Sequence, residues 1–414
     1  MSRTTETGRR ADRAGSPAAP NLLRAPGAMR AEPAYPAWLL EHVRRQREFI
    51  DGLSPFPFDP PADSTPFLCL HQNNYLRLAR HPEVVRARHE ANLRACGDPS
   101  APSMLGGSSC EHDAFRASLR DALQADDVIL TTSGWTANVG LVEAIARPEL
   151  PVYLDVGGHP SLADGARLAR TRRVMFRHND PGHLERRLRA HGPGVVCVDA
   201  LYSTDGALCD LESFADVCAR HDCTLVVDEA HSFGMFAAAG GGLTVERGLL
   251  QRVHFRTLSL SKALGGHGGA VAAGGEMIRA LSARMRPVLF SSPTSAVLSA
   301  GHRAALQVMV REPERARRCL AMAALLRAGL RRRGVRTAPG AGPIIAIRLR
   351  GEAACELYAR LRRQGILTSV FVYPAVPKGT SVVRFSVHAD VGEADVRRAA
   401  ECAATALREM GLLP

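Results

Sequence analysis

Short apolar segments alternate with amphipathic helical segments through the middle of the chain, and this alternation constrains the fold more than any other feature. Between Val128 and Ala273, runs of apolar and β-branched residues predict strands, and most of them are followed by a segment with helical periodicity. Strands that alternate with helices are joined by crossovers, which place them side by side in parallel with helices on both faces. The sequence therefore predicts an α/β fold built on a large, doubly wound, mostly parallel sheet.

The regions on either side of this alternation differ in composition and rhythm. Residues 1–34 are rich in Arg, Ala, Gly and Pro without apolar periodicity, which predicts a disordered N-terminal tail. Residues 35–66 are predicted to hold one helix and a Pro-rich linker, and residues 67–300 the large domain. Residues 301–414 begin with a long helical region, Ala304–Arg333, and continue with a mixture of strands and helices. They predict a smaller C-terminal α+β domain.

Composition excludes several functional classes. No apolar run reaches the roughly 18 to 20 residues that a membrane span requires, and the N-terminus lacks the apolar core of a signal peptide. These features predict a cytoplasmic protein without a membrane partner. The ten cysteines form no C-x-x-C pair or ligand-like cluster, so no metal site is predicted.

The chain is strongly basic, with a formal net charge of +12 and a sequence pI near 9.7. Such a charge raises the question of nucleic-acid binding. Aromatic residues make up only 5% of the chain, the arginines are spread over many predicted helices, and no nucleic-acid motif is present. Attraction of a small polyanion such as a CoA thioester explains the charge equally well, so no nucleic-acid partner is predicted.

Lys262 is one of only two lysines in the chain, the other being Lys378. Arginine supplies nearly all the remaining positive charge, so a retained lysine suggests chemistry that arginine cannot perform. A desolvated lysine amine can lose its proton and attack a carbonyl, whereas a guanidinium stays protonated. Lys262 follows a predicted strand, with the hydroxyls of Thr257 and Ser259 close by in sequence. We predict a Schiff base with pyridoxal phosphate (PLP), the alternative being a surface lysine beside a Gly-rich turn.

Asp228 ends another predicted strand and is followed closely by His231. A buried carboxylate at a strand end is costly unless it is paired, and a protonated pyridine nitrogen is a suitable partner. Such a pair makes the cofactor ring an electron sink. The interval to Lys262 leaves room for one helix and one returning strand, which would bring both residues to the same edge of the sheet. His231 would then face the phenolic oxygen of the ring.

Three further strand ends carry candidate cofactor ligands, because active sites of open α/β sheets lie at the carboxyl ends of strands. Gly134 and Trp135 open a helix whose backbone N–H groups and dipole suit a phosphate, although a plain strand-to-helix turn has the same pattern. His159 could stack on an aromatic cofactor, or simply cap a helix. Ser203 could hydrogen-bond a ring oxygen. A nucleotide-binding glycine loop at 265–275 is rejected, because no G-x-G-x-x-G follows a strand there.

The motifs, taken together and in order, resemble the α-oxoamine synthase family of fold-type I PLP enzymes, which have a class II aminotransferase-like fold. Members of that family join an amino acid to an acyl-CoA with loss of CO2. The matching segments are 73–76 (NNYL), 133–138 (SGWTAN), 176–180 (FRHND), 202–206 (YSTDG), 228–234 (DEAHSFG), 259–263 (SLSKA), 290–292 (FSS) and 383–385 (VRF).

The resemblance implies a role for each matching residue. Lys262 carries the PLP and later moves the Cα proton, Asp228 holds the pyridine nitrogen, and His159 stacks on the ring. The remaining implied ligands are Ser203 and His231 for the ring oxygen, Ser133, Gly134, Trp135 and Ser259 for the phosphate, Ser291 and Ser292 for the phosphate of a neighbouring subunit, and Asn73 and Arg384 for the substrate carboxylate. The contribution of Ser291 and Ser292 implies a homodimer with shared active sites.

Segments 133–141, 189–204 and 366–374 most resemble the branch of the family that makes quorum-sensing autoinducers. That likeness implies a medium-chain acyl-CoA, a small α-amino substrate and an α-aminoketone product. Segment 102–107 departs from the family's Gly-rich pattern, and 263–267 resembles the biotin-pathway branch. The alternatives left open are 8-amino-7-oxononanoate synthase, 2-amino-3-ketobutyrate CoA ligase, another fold-type I enzyme such as an aminotransferase, and an inactive relative used for binding.

Overall fold

The computed structural model describes residues 35–51, 67–94 and 101–414. The predicted tail and most of the predicted linker lie outside the described residues. Helix α1, Ala37–Asp51, belongs to a separate N-terminal unit and confirms the predicted helix there. Within it, Glu41 pairs with both Arg44 and Arg45, which are one turn further along the helix.

Residues 59–414 form the second compact unit, which holds every other described element. Its helices are α2 Pro82–Arg94, α3 Cys110–Leu123, α4 Gly134–Ile145, α5 Pro160–Leu168, α6 Pro181–His191, α7 Leu211–Arg220, α8 Leu243–Glu246, α9 Gly275–Ser282, α10 Arg286–Leu289, α11 Ala296–Arg311, α12 Glu314–Arg332, α13 Ala353–Arg363 and α14 Glu393–Glu409. Its strands are β1 Leu68–Cys69, β2 Asp127–Thr131, β3 Val152–Asp155, β4 Arg173–Phe176, β5 Val195–Asp199, β6 Thr224–Asp228, β7 Phe255–Ser259, β8 Gly269–Ala273, β9 Ile344–Arg350, β10 Ile366–Leu367, β11 Ser369–Phe371 and β12 Thr380–Ser386.

The largest sheet has the strand order β2-β8-β7-β6-β5-β3-β4. Strands β3 to β7 pair in parallel, and β8 runs antiparallel to both of its neighbours. Strands β3, β5 and β7 are buried along their whole length because helices cover both faces of the sheet. This arrangement confirms the predicted fold class, a doubly wound, mostly parallel sheet.

The direction of the winding reverses between β3 and β5. From β3 the chain moves outward to β4, and then returns to place β5, β6 and β7 in turn on the other side of β3. Ligands of open α/β sheets bind in the crevice outside the carboxyl ends of the strands at such a reversal. The topology therefore places the candidate site near the ends of β3, β5 and β6.

The C-terminal residues build an antiparallel sheet, β11-β12-β9, with its own hydrophobic cluster between the sheet and α12, α13 and α14. A short parallel pair joins β1 to β10, and Leu70 packs in this cluster. The predicted helical region Ala304–Arg333 is divided between two helices, α11 and α12. Pro313 disfavours a helical conformation at Glu312, which ends α11 with φ −117° and ψ 60°. The predicted domain boundary at residue 300 stays a prediction.

No helix within the described ranges is long and apolar enough to cross a membrane. The same described residues contain no group of three or more His, Cys, Asp or Glu side chains placed to hold a metal ion.

Gly206 should be among the least replaceable glycines of the fold. Its φ is +75°, and a Cβ built on it would lie 2.4 Å from the Ile344 carbonyl oxygen of β9. Gly206→Ala should lower the free energy of unfolding by about 2 to 4 kcal/mol, since left-handed strain and a backbone clash combine. Gly351→Ala is the matched control, because Gly351 has φ +56° and open space around it. Urea denaturation should show a loss of only about 1 kcal/mol for the control. Equal losses in the two variants would show that the close approach to Ile344 costs nothing.

Candidate active site

A cavity of about 240 Å³ lies where the carboxyl ends of the parallel strands meet the start of α4. It brings together the predicted residues Ser133, Gly134, Trp135, His159, Asp228, His231, Ser259 and Lys262. Asn138 and Asp199, which were not predicted as site residues, also line it.

Asp228 is buried at the end of β6 and held by neutral donors on two sides. Asn138 Nδ2 donates to its Oδ2 at 2.6 Å, and the backbone N–H of Ala230 donates to its Oδ1 at 2.9 Å. Asn138 also donates to Ser161 Oγ at 2.9 Å, which fixes its amide. Asp228 makes no ion pair with any residue that the structure describes. A buried carboxylate so fixed is suited to a cationic group in the cavity, such as a protonated ring nitrogen.

Asp199 ends β5 directly beside Asp228 in the register of the two strands. Burial, followed by the charge of Asp228, raises the pKa of Asp199 well above its ordinary value. A second negative charge beside Asp228 is unfavourable, so the protonated form of Asp199 is the favoured one. Its Oδ1 accepts a hydrogen bond from the backbone N–H of His159 at 3.1 Å. Asp199 therefore fixes the start of α5 rather than adding a second negative charge.

His159 caps α5 and turns its ring into the cavity. Its Nδ1 lies 2.7 Å from Ser161 Oγ, and the ring meets Trp135 edge-on with centroids 5.6 Å apart and planes at 78°. Burial lowers the pKa of His159, so the ring is neutral near pH 7. A neutral, fixed imidazole can pack against a flat cofactor ring.

Ser133 begins α4 in a reciprocal capping arrangement with Thr136. Ser133 Oγ accepts from the Thr136 N–H, and Thr136 Oγ1 accepts from the Ser133 N–H. The first N–H groups of a helix have no partner within it, so those of α4 offer donors and a positive dipole end to an anion. A Cβ on Gly134 would lie 2.8 Å from Ser259 Cβ, so this glycine also allows α4 to approach β7 closely.

Lys262 follows β7 and is half-buried at the cavity. Burial lowers the pKa of its ammonium group, the charge of Asp228 opposes this effect, and Arg384 adds to it. A lysine with a lowered pKa supplies the unprotonated amine that attack on an aldehyde requires.

Arg384 is buried in β12 and held from both ends of its guanidinium. It donates through Nη1 to the Ser203 carbonyl at 2.8 Å and through Nη2 to Asn73 Oδ1 at 3.2 Å, with its Cζ 4.8 Å from the ring centre of Phe371. Its Nε has no hydrogen-bond partner among the described residues. Arg384 forms no ion pair with a carboxylate in the described part of the chain, so an anionic ligand would complete its surroundings.

His231 connects the lysine cavity with the Arg384 region. Its Nδ1 lies 2.6 Å from the Tyr75 hydroxyl, which in turn lies 3.4 Å from Asn73 Oδ1. Burial lowers the pKa of His231 well below its ordinary value and raises that of Tyr75. Both groups are therefore neutral near pH 7. Tyr75 belongs to the shared NNYL segment, but its side-chain role was missed because sequence alone does not show its contact with His231.

The remaining predicted ligands lie away from this cavity. Ser203 contacts Arg384 through its backbone carbonyl, and its predicted hydroxyl contact with a ring oxygen stays a prediction. Ser291 and Ser292 are exposed in the segment after α10, where Ser291 Oγ donates to the Ser292 carbonyl at 3.3 Å. Their predicted contact with a neighbouring subunit also stays a prediction.

A single cavity is lined by four features: a lysine after one central strand, a carboxylate at the end of the neighbouring strand, a fixed neutral imidazole and a helix N-terminus. The carboxylate, the lysine and the imidazole suit the ring of PLP, and the helix N-terminus suits its phosphate. The fold and the site together define a fold-type I PLP-dependent enzyme.

Comparisons with known proteins agree with this class. The sequence profile of the family "Aminotransferase class I and II" matches residues 65–402. The chain is 36% identical to 8-amino-7-oxononanoate synthase of Anaeromyxobacter dehalogenans over 324 residues, 77% of this chain and 81% of the relative. It is 30% identical to CAI-1 autoinducer synthase of Vibrio campbellii over 359 residues, 86% of this chain and 89% of the relative.

Among solved structures, serine palmitoyltransferase from S. paucimobilis with a bound PLP–myriocin aldimine superimposes with a TM-score of 0.84 and 25% sequence identity. The superposition covers 90% of this chain and 98% of the other. The protein belongs to the aminotransferase class I and II family and, within it, to the α-oxoamine synthases, which are PLP-dependent acyltransferases. Its cofactor is pyridoxal 5′-phosphate.

Replacement by Asn should have little effect on turnover at Asp199 and a large effect at Asp228. Asp199→Asn imitates the protonated acid and should retain PLP binding and most turnover. Asp228→Asn removes the charge that faces the ring and should lower turnover by at least about a hundredfold. Absorbance spectra and steady-state rates of both variants check this. Near-normal turnover in Asp228→Asn would contradict the proposed role of its charge.

The raised pKa of Asp199 also predicts the pH dependence of stability. The favourable contribution of Asp199 to the free energy of unfolding is complete below the pKa that it has in the unfolded chain, about 4. This contribution declines as the pH rises toward the pKa of Asp199 in the folded protein. Asp199→Asn does not titrate, so its melting temperature relative to that of the wild type should rise as the pH increases above about 4. A difference that is independent of pH would show that Asp199 is not protonated in the folded state.

Proposed function

We propose that the protein catalyses the decarboxylative condensation of an acyl-CoA with a small α-amino acid, giving an α-aminoketone, CoA and CO2. The observation that carries the proposal is the buried guanidinium of Arg384 beside the lysine cavity, which pairs with no carboxylate of the described residues. An amino acid bound to the cofactor needs a cation for its carboxylate, and Arg384 can supply a planar pair of donors. The family to which the chain belongs supports the same reaction class.

Bound PLP supplies an electron sink for the carbon that it activates. Lys262 attaches the cofactor and, once displaced by the amino substrate, takes and returns the Cα proton at Nζ, for which its lowered pKa is suited. Asp228 keeps the ring nitrogen protonated, and Asn138 keeps Asp228 in place. His159 packs against the ring, with Ser203 and His231 assigned to the ring oxygen. Ser133, Gly134, Trp135 and Ser259 hold the phosphate.

Asn73 and Arg384 take the substrate carboxylate in this proposal. The Ser203 carbonyl and Phe371 orient the guanidinium, whose Nε is buried without a hydrogen-bond partner among the described residues. Holding the carboxylate would fix the orientation of the amino acid at the cofactor, and so place its Cα proton for removal by Lys262.

Two relatives suggest different acyl substrates for this protein. Sequence segments shared with the quorum-sensing branch, and the likeness to CAI-1 autoinducer synthase over 86% of the chain, support a medium-chain acyl-CoA and a signal or secondary-metabolite product. The second candidate is the acyl substrate of 8-amino-7-oxononanoate synthase, and the higher sequence identity to that enzyme supports it. A product screen by mass spectrometry with acyl-CoAs of graded length and small amino acids separates them.

We also propose a homodimer with shared active sites. Phe290 has 71% of its surface exposed and Trp135 46%, and Ser291 and Ser292 are exposed next to Phe290. A second copy covering these apolar side chains would bring its serines to the phosphate end of the cavity.

Lys262 should carry the cofactor. Borohydride reduction of the purified protein followed by peptide mapping should place the pyridoxyl label on Lys262, because its amine is partly desolvated and borders the cavity. Lys378, the other lysine, is the internal control. A label on Lys378, or no label, would remove Lys262 from this role.

Arg384→Ala should raise the amino-acid KM by at least about tenfold while changing the acyl-CoA KM little and leaving the PLP spectrum normal. Arg384→Lys should restore little, since a point charge does not reproduce the planar fork. Arg350→Ala, at the exposed end of neighbouring β9, is the matched control and should behave as wild type. CoA and CO2 should be released in equal amounts. CoA release without CO2 would move the protein out of the decarboxylating synthases.

A further inference from the structure

The FRHND segment, 176–180, matches the family pattern but has no role in the site as described so far. The structure places His178 between two carboxylates, one at the end of β3 and the other in the turn after β5. Its Nδ1 lies 3.0 Å from Asp155 Oδ1, and its Nε2 lies 3.1 Å from Asp205 Oδ2. The first contact is a hydrogen bond, and the second is an ion pair without hydrogen-bond geometry. A Cβ on Gly157 would lie 2.5 Å from the His178 ring, so the loop after β3 is shaped to admit it.

Asp155, at the end of β3, is the fixed point of this cluster, and its side chain is fully buried. Besides His178, it accepts hydrogen bonds from the backbone N–H of Gly157 and of Asn179, each at 2.7 Å. The Tyr202 hydroxyl donates to its Oδ2 at 2.7 Å, and the Tyr202 ring meets His178 edge-on with centroids 4.3 Å apart. The ends of β3 and β4 and the turn after β5 are thus joined through one carboxylate.

The turn that follows β5 is held from both sides by the same segment. Tyr202 and Asp205 contact His178, and Asn179 binds the residues that leave the turn, donating to the Leu208 carbonyl at 2.9 Å and accepting from the Asp210 N–H at 3.1 Å. Ser203 lies inside this turn, and its carbonyl accepts the 2.8 Å hydrogen bond from Arg384. The position of that carbonyl follows from contacts made by His178.

The charges in the cluster favour a protonated His178. Burial alone would lower its pKa, but the contacts with Asp155 and Asp205 raise it to about 9. Arg348 of β9 approaches Asp205 at 3.6 Å from the solvent side, and the Tyr202 hydroxyl faces Asp155. An imidazolium between two acids holds the end of β3 and the turn after β5 together more firmly than a neutral ring can.

We infer that His178 is a positioning residue for the substrate-carboxylate site: it sets the Tyr202–Gly206 turn and, through the Ser203 carbonyl, the orientation of the Arg384 guanidinium. The inference rests on the proposed function in one respect, that Arg384 binds a substrate carboxylate. It adds that this grip depends on a residue that touches neither cofactor nor substrate. It also predicts that His178 affects binding of the substrate carboxylate only through Arg384, so that its effect disappears when Arg384 is replaced.

A double-mutant cycle on the PLP-loaded protein tests this directly. The variants are His178→Phe, Arg384→Gln and the double variant, each titrated with glycine, L-alanine and L-2-aminobutyrate while the cofactor absorbance is followed. Methylamine, ethylamine and propylamine are the matching probes without a carboxylate. Arg177→Ala is the matched control, because Arg177 is the exposed neighbour of His178.

His178→Phe should weaken binding of the amino acids about tenfold and leave binding of the amines unchanged within about twofold. The double variant should bind amino acids no more weakly than Arg384→Gln alone, since contacts that act through one group are not additive. Arg177→Ala should match the wild type.

The outcomes separate the inference from the proposed function. If Arg384→Gln weakens amino-acid binding but His178→Phe does not, or if the two effects add fully, the inference is wrong and the proposed clamp stands. If Arg384→Gln has no effect, or no amino acid perturbs the wild-type spectrum, both fall. Should His178→Phe not fold, His178→Gln, which keeps one donor toward Asp155, must show a smaller loss confined to the amino acids. An equal loss with the amines would show a general structural role instead.

Discussion

The site depends on the buried carboxylate of Asp228, which is held by neutral donors. Asn138 of α4 and the Ala230 N–H orient it, and Asp199 beside it is kept protonated, so one negative charge rather than two faces the cavity. A charge buried in this way is costly in the absence of a cation. The cost is offset when a protonated ring nitrogen occupies the cavity, and the same contact keeps that nitrogen protonated. In the proposed function, cofactor binding and electron withdrawal both follow from this one interaction. Lys262 lies at the same edge of the sheet because β6 and β7 are parallel neighbours.

The cavity and the Arg384 region are distinct in the fold but joined by short contacts. The cavity belongs to the parallel sheet, whereas Arg384 comes from β12 of the C-terminal sheet. Tyr75 and His231 connect them on one side, and the Ser203 carbonyl connects them on the other. In the proposed function the amino acid binds Arg384 through its carboxylate while its Cα lies at the cofactor, so both regions act on one substrate. The contacts across the two sheets join these two regions.

Much of the site could be predicted from the sequence because the carboxyl ends of parallel strands lie at the same edge of a sheet. Lys262, Asp228 and His159 each follow an apolar strand, so their meeting was implied by the alternation of strands and helices. The role of Asp199 could not be predicted in this way, because it depends on the register that sets β5 against β6. The contact of the Ser203 carbonyl with Arg384 could not be predicted either, because any residue could supply a carbonyl there, and the predicted role of the Ser203 hydroxyl stays a prediction. The predicted helical region is divided at Pro313, where local backbone restriction outweighs helical periodicity.

The charge state of the cofactor ring nitrogen is the most direct measure of whether Asp228 has the role assigned to it. Nitrogen-15 NMR of the protein reconstituted with ring-labelled PLP reports that state without requiring turnover or knowledge of the substrate. We expect a protonated ring nitrogen in the wild-type protein and in Asp199→Asn, and an unprotonated one in Asp228→Ala. An unprotonated nitrogen in the wild type, or a protonated one that survives Asp228→Ala, would contradict the role of Asp228 as its charge partner.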